Sequence, residues 1–131
     1  MKRLTAKEVE VPIDRLMHLR RKVLHRYPEL SGEESETADR LALFLRSYDP
    51  DKMITDIGGH GLVAIYEGEQ EGPTVVFRCE LDALAIHETS DLKYKSKNKG
   101  VSHKCGHDGH MAIVGGLAAL FHEYPPEKGK V

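Results

Sequence analysis

The chain has 131 residues, 40% of them apolar and 31% charged, with a formal net charge of −2. That balance is the signature of one globular domain with one core, and it excludes a disordered or collagen-like chain. No apolar run approaches the ~18 residues of a spanning helix, and the net charge gives no general attraction to nucleic acid.

The charged start, Met1 to Glu8, is followed by no apolar stretch, so no secretory signal is visible and a cytoplasmic protein is expected. A helix is predicted over 11–27, where Ile13, Leu16, Met17, Val23 and Leu24 recur at helical spacing until Pro28 stops it. Ser31-Gly32-Glu33-Glu34 reads as a capping box: the serine would accept from an early helical amide while Glu34 reaches back. The second helix then carries Ala38, Leu41, Ala42, Phe44 and Leu45 inward and ends near Asp49-Pro50.

The period now changes to two. Residues 53–57 and 62–66 read as strands of a hairpin around Gly58-Gly59-His60-Gly61. Thr74 to Cys79 is nearly continuous in apolar and β-branched residues and reads as a central strand covered on both faces. Residues 83–102 lack periodicity and are expected to form a long loop over the site. Within it Lys93, Lys95, Lys97 and Lys99 alternate with residues other than the stacking aromatics of single-strand binders, except Tyr94, so a solvated loop is expected rather than a nucleic-acid surface. From Gly109 to about His122 hardly any polar face remains, so that helix is expected to be buried, with another backbone close to Gly115 and Gly116. After Pro125-Pro126, residues 127–131 read as a turn entering a new strand. Two helices, a hairpin, a buried strand and a buried helix predict an α/β fold, a three-layer sandwich with a mixed sheet.

The densest chemistry is His103-Lys104-Cys105-Gly106-His107-Asp108-Gly109-His110, with one thiol, three imidazoles and a carboxylate. Thiolate and imidazole are the donors that zinc prefers, and the glycines let the backbone bend, so the string reads as a metal site. Asp108 also has a plainer reading as a carboxylate at a helix start. The remaining histidines, His18, His25, His60, His87 and His122, are scattered and read as solvent-facing or satisfied side chains. Cys79 reads as a small core residue, and a disulfide to Cys105 is not expected in a cytosolic chain.

Arg78-Cys79-Glu80-Leu81-Asp82-Ala83-Leu84-Ala85-Ile86, the string from His103 to His110, and His25-Arg26-Tyr27-Pro28-Glu29-Leu30 together resemble the dinuclear metal amidohydrolases of the hippurate hydrolase and indole-acetyl-amino-acid hydrolase type, within the aminoacylase and carboxypeptidase group. The resemblance implies that Cys105 and His107 are metal donors and that Asp82 is the catalytic carboxylate that orients the site. It further implies that Asp108 and His110 stand behind the donors and that two Zn or Mn ions act on a small N-acyl amino acid. Glu80, Ala85 and Lys104 stand where the family usually has aspartate, proline and a small residue. Residues 1–131 would be the amino-terminal part of the catalytic domain, without the Glu-Glu pair, the later ligands or the inserted lid and dimerisation domain. Two donors fall short of the three that a protein zinc site normally supplies, so the isolated chain is expected to bind metal poorly and to lack turnover. A bare sheet edge would then favour self-association. The alternative is a non-enzymatic metal-binding or interaction module derived from the same fold.

Overall fold

The computed structural model describes Thr5 and residues 9–131; most of the charged start, residues 1–4 and 6–8, lies outside them. Helix α1, Ile13–His18, follows Pro12 and runs directly into a π-helical segment, Leu19–Leu24. The predicted helix is therefore present over 13–24, but its second half is wound wider: the His25 amide donates to the Arg20 carbonyl five residues back, at 2.8 Å. Leu19 and Leu24 are both buried in this wider winding, whereas Ile13, read as a core position, is exposed.

Helix α2, Ser35–Arg46, begins later than a cap at Ser31 requires, so Ser31 stands too far back to serve its free amides. Glu29 does so instead: its carboxylate accepts from the Glu36 and Thr37 amides and from the Thr37 hydroxyl. Glu34 turns only to the Gly32 amide, 2.9 Å away. Leu41, Ala42 and Leu45 face inward as read, and Phe44 lies half-buried beside them.

Strands β1, Lys52–Ile57, and β2, Gly61–Ile65, form the predicted antiparallel hairpin, with Met53 opposite Ala64 and Ile54 opposite Val63. Asp56 and Gly58 take left-handed backbone, φ 59° and 61°, which closes the turn. Strand β3, Gln70–Thr74, pairs in parallel with β4, Lys128–Lys130, the strand foreseen after the prolines. Tyr66 and Val131 exchange both backbone hydrogen bonds, at 2.9 and 3.0 Å, and so join the hairpin to β4 in one mixed arrangement.

The expected covered strand from Thr74 to Cys79 is not seen. Strand β3 stops at Thr74, Val75 donates once to the Lys130 carbonyl, and residues 75–78 are exposed, Val76 at 74%. The pairing stops where β4 stops. Helix α3, His107–Glu123, crosses behind the hairpin and packs on α1, α2 and the π-helical segment. It is buried on one side only, since Ile113 is 65% exposed. What approaches its glycines is side chain, not backbone: a Cβ on Gly115 would lie 2.9 Å from the Phe44 ring, and one on Gly116 3.1 Å from Leu16 Cδ1. Leu19, Leu24, Leu41 and Met111 form one core cluster, and Leu45, Tyr48, Tyr66, Ala118 and Ala119 the other. The result is the α/β class read from the element order.

Candidate metal centre

Two backbone attachments bring the distant motifs together. The Ala83 amide donates to the Glu29 carbonyl at 2.8 Å, and Leu84 and Ser102 exchange a pair of bonds at 3.0 Å. The ends of the 83–102 loop are thereby pinned side by side, which sets Asp82 against the string that starts at His103. Gly106 precedes α3 with φ 90°, left-handed backbone that a side chain would strain, and the chain turns there into the helix.

His107 is the first residue of α3, and its Nδ1 lies 2.9 Å from the Asp82 carbonyl oxygen and 3.1 Å from Asp82 Oδ1. A carbonyl oxygen only accepts, so the ring hydrogen sits on Nδ1 and the lone pair of Nε2 points away from Asp82. Glu80 Oε2 stands 3.9 Å from that Nε2, with Arg78 2.9 Å from Glu80 on its other side. Cys105, two residues before His107, is an exposed free thiol. His110 is exposed on the next turn, its ring 6.0 Å from that of His107.

Asp108 does not cap the helix. It is 1% exposed, with Oδ2 held by His25 Nδ1 at 2.8 Å and by Arg20 Nε at 3.3 Å, while Oδ1 has no partner. The other ring nitrogen of His25 meets both oxygens of Glu88, at 3.1 and 3.2 Å. His25 is thus the satisfied, buried histidine of the two readings given to it. Glu88 also receives Ser90, the Ser96 amide and Lys104. Burial alone would raise its carboxyl, but donation from Lys104, Ser96, His25 and Ser90 outweighs it and holds the group down at about 2. His103 is buried with both ring nitrogens unpartnered, and burial pushes it down to about 4.

Of Glu80 and Glu88, the sequence reaches the former only as a glutamate standing where the family has aspartate, and Glu88 carries no motif by which to find it. The adjacency of Glu80 to Asp82 in sequence was the available signal for the former.

A carboxylate behind an imidazole, fixing its tautomer and presenting the far nitrogen, is the arrangement that orients a histidine toward a metal. His107 with Asp82, and the accessible thiol of Cys105, fit the donor chemistry of zinc or manganese-type sites at two positions. Among the described residues no group of three or more His, Cys, Asp or Glu side chains could hold an ion by itself. The residues therefore fit a portion of a metal centre.

No family model matches the chain. Among individual proteins, N-acetyl-L-cysteine deacetylase of Bacillus subtilis is 40% identical over 98% of this chain and 32% of its own length. Thermostable carboxypeptidase 1 of Saccharolobus solfataricus is 42% identical over 82% of this chain and 27% of its own. Among solved structures, the YXEP protein of Bacillus subtilis, a dinuclear metal binding peptidase of the M20 family, superposes with a TM-score of 0.79 at 35% identity, covering 85% of this chain and 31% of that one. The chain spans about a third of the length of the relatives it matches. Identity at this level along nearly the whole chain, together with a shared fold, shows that it belongs to the hydrolase family of amidohydrolases, deacetylases and carboxypeptidases that includes the M20 dinuclear metal peptidases.

Proposed function

We propose that this chain is the amino-terminal part of the catalytic domain of a metal-dependent amidohydrolase acting in the cytoplasm on small N-acyl amino acids. Cys105 and His107 are its metal donors, for zinc or manganese. Asp82 is the catalytic carboxylate that holds the His107 ring, and Asp108 and His110 stand behind the donors. The observation that carries this reading is the double contact of His107 Nδ1 with Asp82, which leaves Nε2 as the only ring atom able to bind a cation. A bound divalent pair supplies polarisation of the scissile carbonyl and an activated water. The chain's own contribution is to keep the hydrogen of His107 on Nδ1, to carry the exposed thiol two residues before it across Gly106, and to keep Asp82 in register through the Leu84–Ser102 pairing. Two donors do not complete such a centre, so the 131-residue chain alone is inactive.

The test is direct. Purified chain with added zinc or manganese is expected to leave hippurate and N-acetylcysteine uncleaved, while zinc shields Cys105 from alkylation and His107→Ala abolishes the shielding. Rapid zinc-dependent cleavage would overturn the partial-chain reading, and an unshielded thiol at millimolar zinc would overturn the metal reading. The relatives matched include a deacetylase of an N-acetylated amino acid, which supports that substrate class over the reading as a non-enzymatic module.

A further inference from the structure

Cys105-Gly106-His107 is bracketed by two side-chain attachments, one part-buried and one buried, that meet at one histidine. On the near side Lys104 Nζ donates to Glu88 Oε1 at 2.8 Å; on the far side His25 Nδ1 meets Asp108 Oδ2 at 2.8 Å. His25 Nε2 closes the ring of contacts by meeting the same Glu88 carboxylate. We propose that His25 is a positioning residue for the metal donors: its imidazole couples Glu88 to Asp108 and thereby fixes the three-residue turn that carries the thiol and the first imidazole. The inference rests on the reading of Cys105 and His107 given above.

Three observations carry it. Gly106 has left-handed backbone and a Cβ there would meet nothing within 4 Å, so no side chain packed at this position helps to hold the turn. His25 is 6% exposed and lies 83 residues from Asp108 in sequence, so the contact is a tertiary tie rather than a local one. Ionised carboxylates only accept, and here one carboxylate faces each ring nitrogen, so the ring serves both when each nitrogen carries a hydrogen. Asp108 immediately follows His107 in the first turn of α3, so its contact with His25 ties that turn to the π-helical segment's end.

The two nitrogens can be removed one at a time. His25→Asn keeps a donor near the place of Nδ1, facing Asp108; His25→Gln keeps one near the place of Nε2, facing Glu88. Amide exchange of the first turn of α3 is read on the metal-free chain, and the zinc concentration that half-protects Cys105 from alkylation is read separately. Each variant keeps one contact and breaks the coupling at the other, so both His25→Gln and His25→Asn are expected to speed exchange of the Gly109 and His110 amides and to raise the zinc requirement by about tenfold. Lys104→Met, at a part-exposed side chain, opens the other end of the bracket and is expected to raise the zinc requirement in the same direction. Parental exchange and zinc protection in either His25 variant, or a Lys104→Met chain with parental zinc protection, would overturn the proposal. If zinc protects no variant, the parent included, the metal reading fails, and the exchange rates alone decide whether His25 positions the turn.

Discussion

At the scale of single residues, the buried charges near α3 make stability depend on acid. Glu88 titrates near 4.5 when unfolded and near 2 in the fold, so its contribution is complete above the unfolded value and is lost as pH falls from about 4.5 to about 2. A shift of that size corresponds to roughly 3 kcal/mol. His103 works higher on the scale. Its folded value near 4 lies below the ordinary 6.5 because burial, with His25 and His107 adding, outweighs the pull of Asp108 and Asp82. The fold holds it neutral, so stability declines as pH falls from about 6.5 to about 4. Urea midpoints are therefore expected to drop in two stages between about pH 7 and about pH 2, with His103→Gln removing the upper stage and Glu88→Gln the lower. A midpoint that is flat across this range contradicts both assignments. The thiols differ as sharply. Burial, with Glu80 adding and Arg78 opposing, pushes Cys79 up to about 11, whereas Cys105 is exposed. Because the thiolate is the nucleophile, iodoacetamide at mildly alkaline pH is expected to modify Cys105 long before Cys79, and peptide mapping that finds both labelled at one rate would refute this.

At the scale of elements, α2 is stabilised from outside its own run. Removing the carboxylate in Glu29→Ala leaves the Glu36 and Thr37 amides without their acceptor and is expected to cost about 1–2 kcal/mol in chemical denaturation. Ser31→Ala is expected to cost almost nothing, reversing the order that the capping-box pattern suggests. That pattern misled because Glu29, just after Pro28, reaches the same amides from a turn that local sequence does not describe. Helix α3 offers the second contrast. Replacing either glycine by alanine gains about 1 kcal/mol of helix propensity, but overpacking costs about 1–3 kcal/mol. The Gly115 Cβ would press on the Phe44 ring at 2.9 Å, so Gly115→Ala is expected to lower the melting temperature, while Gly116→Ala, at 3.1 Å from a movable leucine methyl, stays near neutral. The hairpin, α2 and the position of α3 were legible because period and turn chemistry are local. The wider winding over Leu19–Leu24 was not, since its apolar spacing is also compatible with an ordinary helix.

At the scale of the whole molecule, the donors of the candidate centre were legible as a dense string, and so was Asp82 through the family resemblance. Their geometry was not, because it depends on the Leu84–Ser102 and Ala83–Glu29 pairings between segments far apart in sequence. The apolar strip over residues 75–77 faces a groove lined also by Val114, Leu117 and Phe121. We propose that this strip, an apolar segment outside any strand, mediates self-association by burying its exposed side chains against a second copy of the chain. Light scattering is expected to show particles larger than one chain that Val76→Lys shifts toward monomer, and a monomeric parent at high concentration removes the idea. The Tyr66–Val131 exchange has a consequence for the order of assembly. The hairpin and α2 form from neighbouring segments, but the parallel strands are more than fifty positions apart and pair only once the intervening loop and α3 have been made. Until then the backbone groups of Tyr66 lack the partner that Val131 provides, so a chain that lingers at that stage offers an unpaired edge to its neighbours.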